Sequence, residues 1–266
     1  MLSINRLGNL GRLANQMFQY ASTKGIASHR GYSFSIPPKD AFGAQDELVS
    51  QSDVTIYDVF ENVGNNIIGF QKNQTLWERM HHFDEELFVN CPDNVDLVGY
   101  FQTEKYFKHI EDEIREDFTF SKEITEMCKE LYNKVVDGES ISLHIRRGDY
   151  TVNPNHPTQT IEYYDKALSN FDSKIPVFVF SDDPSWCHGQ ELFSDDRFMI
   201  SDGNATEFDL CLMSLCTYHI IANSSFSWWG AWLANKGKVI APKKWFGPNN
   251  AHLNTKDLYC KGWEVI

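Results

Sequence analysis

The chain has 266 residues, 42% of them hydrophobic, 14% aromatic and 23% charged, and its 24 basic and 37 acidic side chains leave a net charge of −13. So long and apolar a chain offsets its ordering entropy by burial, which excludes intrinsic disorder and suits one large domain or two small ones. Phosphate-backbone affinity comes from clustered Lys and Arg, so this acidic balance excludes a general nucleic-acid binder but leaves room for a small anionic ligand in one basic pocket.

In chain order, residues 1–8 hold too few apolar side chains for a signal peptide. A Gly- and Asn-rich turn from Gly8 to Gly11 precedes a helix with Ala14, Phe18, Ala21 and Gly25 at helical spacing. Residues 32–90 mix short apolar runs with Pro37-Pro38 and many amides and predict little regular structure. Polar helices are predicted over 103–117 and 122–136, the second stopped by Asp137-Gly138. The remainder has a clearer rhythm. Strands are predicted at 141–145, 177–180, 198–200, 219–222 and 238–240, with helical patterns at 161–170, 206–215 and 227–235. Strand, helix, strand at this spacing implies a parallel sheet with right-handed crossovers, and near-continuous apolar strands imply that both faces are covered. The break near residue 138 divides the chain into an N-terminal domain, 1–138, and a C-terminal domain, 139–266. No run of about 18 apolar residues predicts a transmembrane helix. The six cysteines form no Cys-x-x-Cys pair, and no His pair accompanies Cys211 and Cys216, so reduced thiols in a cytoplasmic setting are expected rather than zinc.

Ligands of such sheets bind beyond the carboxyl ends of the strands, which directs attention to three loops. The first is His144-Ile145-Arg146-Arg147-Gly148-Asp149-Tyr150. Two adjacent guanidiniums at a strand end form a strong anion site, with Asp149 orienting one Arg or acting as an acid/base group; the alternative is a surface turn with solvated arginines. The second is Ser181-Asp182-Asp183-Pro184, either a helix cap or a carboxylate facing a ligand's polar groups. The third is Asn223-Ser224-Ser225-Phe226-Ser227-Trp228-Trp229-Gly230, whose hydroxyls and backbone N–H groups at a helix start suit an anion. Four lysines (Lys236, Lys238, Lys243, Lys244) and no acid follow between Asn223 and Pro248, while Trp228 and Trp232, four apart, fit a core stripe better than a ligand contact. Together the loops predict a phosphate-bearing ligand. The chain has neither Gly-x-x-x-x-Gly-Lys-Ser/Thr nor Gly-x-Gly-x-x-Gly, which argues against a P-loop NTPase and an ordinary dinucleotide dehydrogenase.

These residues resemble the α-1,2-fucosyltransferase family, whose members use GDP-fucose. The resemblance covers nearly the whole chain. It runs through Gly11-Arg12-Leu13-Ala14-Asn15-Gln16-Met17-Phe18-Gln19-Tyr20-Ala21, Gly99-Tyr100-Phe101-Gln102, the three loops in order, and Ile240-Ala241-Pro242-Lys243-Lys244-Trp245-Phe246. His-x-Arg-Arg-Gly-Asp is shared in similar form with α-1,6- and protein O-fucosyltransferases; the Asn-Ser-Ser-Phe-Ser-Trp-Trp-Gly-Ala-Trp run is more selective for the α-1,2 group. One departure is Ala14, where the family usually has Gly; Ala is strained there if the loop needs positive φ and harmless if the position is helical.

The resemblance implies an α/β fold of GT-B type, two Rossmann-like halves facing across a cleft, with the acceptor on the N-terminal half and the donor on the C-terminal half. It implies inverting, metal-independent transfer of L-fucose from GDP-β-L-fucose to the 2-hydroxyl of a terminal galactoside, with no cofactor beyond the donor substrate. Arg146 would contact the pyrophosphate, with Arg147 holding the loop or adding charge. Asp182 or Asp183 would lie near the guanosine, and Ser224, Ser225 and Ser227 near the β-phosphate. Arg12 and Asn15 would meet fucose and phosphate, with Gln16, His144 and Asn223 completing the donor site. Arg146, Asp149 and Asn15 are the expected catalytic groups, with Asp149, His144 or the leaving phosphate as proton acceptor. For the acceptor, Gln71, Asn73, Gln74, Trp77, His81 and His82 either bind sugar or are ordinary loop residues. The resemblance further implies a bacterial cytoplasmic enzyme, free or peripheral to the inner membrane, that builds surface glycans. The competing expectations are an α-1,6 or protein-linking GDP-fucose transferase, a non-catalytic sugar-nucleotide or glycan-binding module, and a metal-dependent phosphatase or nuclease.

Overall fold

Two parallel sheets organise the chain in a computed structural model that describes residues 1–41 and 54–266. Of the stretch 32–90, therefore, residues 42–53 lie outside the described residues. The first compact unit comprises Met1–Ser121 together with Leu253–Cys260, and the second Lys122–His252 together with Lys261–Ile266.

In the first unit, strands β1 (Leu2–Ser3), β2 (Phe34–Ile36), β3 (Ile67–Ile68), β4 (Gln74–Trp77) and β5 (Val95–Val98) lie in the order β3-β2-β1-β5-β4, each pair parallel. The helix expected after the Gly8–Gly11 turn is α1 (Leu13–Arg30). It ends at Gly31, whose φ of 68° and N–H bonds to the Ala27 and Ser28 carbonyls close the last turn. Ala14 is helical, so the departure from the family's Gly carries no backbone strain. Short helices α2 (Ile56–Val59), α3 (Glu85–Asn90) and α4 (Glu111–Asp117) follow. The single helix expected over 103–117 is broken: residues Glu104–Tyr106 and Lys108–Ile110 form 3-10 turns ahead of α4. Tyr106 and Phe107 are fully buried, and Phe107 takes φ −126° and ψ 4°; aromatic packing on α1 overrides the helical preference there.

The second unit opens with α5 (Lys122–Val135). Then come β6 (Ile141–Ile145), α6 (Ile161–Leu168), β7 (Val177–Ser181), α7 (Pro184–His188), β8 (Phe198–Ile200), α8 (Thr206–Leu215), β9 (Tyr218–Ile220), α9 (Ser225–Ala234), β10 (Val239–Ala241) and β11 (Glu264–Val265). Every strand predicted in this half is present within two residues, and all are parallel in the order β11-β10-β9-β6-β7-β8. The two-residue β11 is too short to have left a pattern. Read from β8, the order is the doubly wound one in which the chain reverses direction across the sheet between its first and fourth strands, here β6 and β9. The core is made by Ile141, Leu143, Ile145, Val177, Val179 and Ile220 from the strands and Tyr164, Ala167 and Leu168 from α6.

The compact units divide at 121/122, earlier than the expected 138/139. α5 packs on α8, with its buried Cys128 beside the Phe208 carbonyl at 3.4 Å. The segment Leu253–Cys260 returns to the first unit, where Asp257 accepts from Lys105 Nζ at 2.6 Å and from the Phe83 N–H at 3.2 Å. All six cysteines are free, and five are buried. Among the described residues no helix is long and apolar enough to cross a membrane.

Candidate active site

β6 ends at Ile145, and the next two residues are Arg146 and Arg147. Neighbouring β7 ends at Ser181, so Asp182 and Asp183 emerge beside them. Arg146 Nη1 donates to Asp182 Oδ2 at 3.0 Å, and its Nη2 donates to Asp149 Oδ1. Its guanidinium also sits over the Tyr150 ring, 5.3 Å from the centroid. Asp182 is shared, because its Oδ1 accepts from the Arg147 N–H at 2.8 Å. The Arg147 side chain turns another way: Nε donates to Asp183 Oδ2 at 3.1 Å, and the guanidinium lies 4.1 Å over Trp186. These contacts fasten the Arg147 side chain to the second loop. Asp183 is chiefly a cap, since it accepts from the Trp186 N–H at 3.1 Å at the start of α7.

The third loop lies on the other side of β6, beyond β9. Ser224 is the N-cap of α9 and accepts from the Phe226 N–H. Ser227 Oγ is 2.9 Å from His144 Nδ1, which ties the end of β6 to the first turn of α9. Burial, reinforced by the Arg146 charge, lowers the His144 pKa to about 3. Burial thus favours the neutral ring, whose Nδ1 is tied to Ser227. Ser225 is the partly exposed hydroxyl of the three.

Asn223 is 1% exposed, its Nδ2 donates to the Pro157 and Trp245 carbonyls, and its Oδ1 accepts from Gln159. Its work is to hold the loop. Gln16 is fully buried in the first unit, with Oε1 accepting from the Ile56 N–H at 3.2 Å. Two of the four lysines after the loop are engaged elsewhere: Lys236 caps the Leu215 carbonyl and Lys238 pairs with Glu264 at 2.7 Å. Trp228 and Trp232 are core residues, stacked at 6.4 Å.

In the first unit the order reverses between β1 and β5, and the residues there also converge. Arg12 is exposed at the N-cap position of α1, and Asn15 Oδ1 accepts from Gln102 Nε2 at 2.8 Å. Gln71 and Asn73 bond Asn5 and Ser3 and belong to the loop framework. Trp77, by contrast, is 55% exposed beneath the Arg6 guanidinium and borders a cavity of about 160 Å³ lined also by Arg79, Glu86 and Asn90. Sequence reasoning missed Glu78, whose carboxyl lies against the start of the Gly99–Gln102 turn. Nothing in its neighbourhood marks it, because its partners arrive only through β4–β5 pairing.

Two doubly wound sheets make an α/β fold of GT-B type, and in the second a guanidinium at a strand end and a hydroxyl-bearing helix start lie on the two sides of the switch point. Among solved structures, the NodZ alpha-1,6-fucosyltransferase soaked with GDP-fucose matches 91% of this chain and 94% of its own, with a TM-score of 0.56 at 15% identity. POFUT1 in complex with GDP matches 88% and 94%, with a TM-score of 0.56 at 11% identity. At such identities the likeness is one of fold. Residues 3–266 match the model of glycosyl transferase family 11, and the chain belongs to that family. An alpha-1,2-colitosyltransferase of Escherichia coli is 32% identical, over 96% of both chains. Galactoside alpha-(1,2)-fucosyltransferase 2 of Bos taurus is 27% identical over 90% of this chain and 70% of its own.

Proposed function

We propose that the chain is an inverting galactoside α-1,2-fucosyltransferase that transfers L-fucose from GDP-β-L-fucose without a metal ion. The observation that carries this reading is the pairing of Arg146 with the α9 N-terminus on the two sides of the β6/β9 switch point, joined by the His144–Ser227 bond. Diphosphates bind at such points in doubly wound sheets, against helix N-termini.

As the bond from fucose to the β-phosphate stretches, negative charge grows on the phosphate oxygens. Donors already aimed at that charge stabilise the transition state more than the ground state, and this difference is the source of rate. Arg146 is pre-aimed because Asp182 and Asp149 hold its fork from two sides. Asp182 orients the guanidinium, and the first turn of α9 supplies N–H groups, hydroxyls and its dipole. Asp149 steadies Arg146, while the acceptor hydroxyl attacks from the face opposite the departing GDP and gives its proton to solvent. By family resemblance Arg12 and Asn15 serve the sugar end of the donor, and the acceptor is a terminal β-galactoside. A cytoplasmic location, free or peripheral to the inner membrane, belongs to the same reading.

A second donor has a specific observation behind it, because the 32% identical relative is by name a colitosyltransferase. The test is a donor and acceptor screen with GDP-fucose and GDP-colitose against β-galactosides, with chelator present. Fucosyl transfer giving an α-1,2 linkage by NMR is the expected result. An α-1,6 linkage, a chelator-sensitive reaction, or transfer from GDP-colitose alone would overturn the corresponding part.

A further inference from the structure

Glu78 follows β4 directly, and its N–H donates to the Val98 carbonyl at 2.8 Å, so the β4–β5 ladder runs one step past Trp77. The side chain then folds across the end of β5. Oε2 accepts from the Tyr100 N–H at 2.7 Å and Oε1 from the Phe101 N–H at 3.0 Å. Both amides lie beyond the last paired residue of the strand and need partners from outside the sheet. Phe101 is fully buried at φ 50°, a left-handed conformation uncommon for a large side chain and held only where surroundings over-determine it. Residue 99 is glycine because a Cβ there would stand 2.3 Å from Glu78 Cβ. The turn is anchored below by Ser22 Oγ, which donates to the Phe101 carbonyl at 3.0 Å. Its last residue, Gln102, donates to Asn15 Oδ1.

We propose that Glu78 is a positioning residue for sugar transfer: its carboxylate fixes the Gly99–Gln102 turn and, through Gln102, sets the orientation of the Asn15 amide. The assignment rests on the proposed function, in which Asn15 serves the sugar end of the donor. Glu78 itself acts at one remove from substrate.

The geometry makes this device sensitive to protonation. A carboxylate accepts both N–H groups, whereas the neutral acid accepts one and turns a hydroxyl toward the other. Burial pushes the Glu78 carboxyl up to about 7; its two backbone hydrogen bonds oppose the rise, and the Asp84 charge adds to it. Arg79 is engaged by Asp84 at 2.8 Å, and Tyr100 and Tyr106 are the other titratable groups facing Glu78. Because the pKa is raised, the proton binds as pH falls through about 7, and the turn loosens on that side.

Glu78→Gln keeps size and removes one acceptor, so kcat, GDP affinity and their pH profiles separate the roles. Wild-type transfer is measured first and tests the functional reading by itself. The wild type should then lose kcat on the acid side with a midpoint near 7. Glu78→Gln should be slower by about tenfold or more at alkaline pH, lack that acid limb, and bind GDP as the wild type does. Wild-type turnover in Glu78→Gln, a retained acid limb, or GDP affinity lost in parallel would each overturn the assignment. If that variant fails to fold, hydrogen exchange at the Tyr100 and Phe101 amides of the wild type gives the answer: protection should fall below about pH 7, and constant protection would overturn it.

Discussion

Arg146 and Arg147 are chemically identical neighbours with different surroundings. Arg147 is fastened between Asp183 and Trp186, whereas Arg146 is steered by Asp182 and by the half-exposed Asp149. Arg146→Ala should therefore reduce kcat/KM by two to three decades or more, since one well-aimed oxyanion donor is worth about 3–4 kcal/mol. The fold should persist, because Asp182 keeps the Arg147 N–H as a partner. Arg146→Lys should rescue poorly, as an ammonium cannot present a two-point fork. Steady-state kinetics with a thermal melt as control reads both, and full activity in Arg146→Lys would remove the bidentate argument. Asp149→Asn tests the proton's destination. Turnover within about tenfold of wild type and GDP binding at least as tight are expected, because a charge repelling the phosphates is gone. A collapse of kcat with binding intact would return Asp149 to the role of general base.

At the scale of elements, the site depends on how closely the turn after β6 approaches the end of β7. Gly148 permits that approach: a Cβ there would lie 2.3 Å from Asp182 Oδ2. Its φ is not positive, so contact rather than backbone strain decides the outcome. Gly148→Ala should displace Asp182 from Arg146 and weaken GDP binding by about tenfold, the equivalent of one charge-assisted hydrogen bond of about 1.5 kcal/mol. Calorimetric titration measures it, and unchanged affinity would show that the Asp182 bridge does not aim Arg146. The strands of the second unit were legible because each is a short, continuous apolar run bounded by turn residues. The helix predicted over 103–117 was not, because its charge pattern is helical while Tyr106 and Phe107 are drawn into the core by α1.

At the scale of the whole molecule, the chain leaves its first unit at residue 121 and comes back to it for Leu253–Cys260. Asp257 fastens that return. It is 9% exposed and accepts from both Lys105 and the Phe83 N–H. Asp257→Ala leaves the Phe83 amide without this acceptor and should cost about 1–3 kcal/mol of stability. The loss should be assigned to the first unit in urea unfolding followed by hydrogen exchange, while GDP affinity on the second unit stays the same. Loss of GDP binding instead would mean that the return segment supports the nucleotide site. Polar composition hid the partnership of α5 with α8, because a helix's sequence shows its apolar stripe but not which neighbour covers it.

The sequence by itself determined the parallel α/β character of the second half, the three loops at strand ends and, through their residues, the family. Those features are written locally, in periodicities of two and 3.6 residues and in runs of adjacent side chains. Tertiary structure alone decided which guanidinium is steered by Asp149, that Gln16 and Asn223 are internal braces, and that Glu78 grips the end of β5. Each of those depends on contacts between residues far apart in the chain, such as the 35-residue span from Arg147 to Asp182 and the 83-residue span from His144 to Ser227. Strand order brings such partners together, and no local pattern encodes strand order.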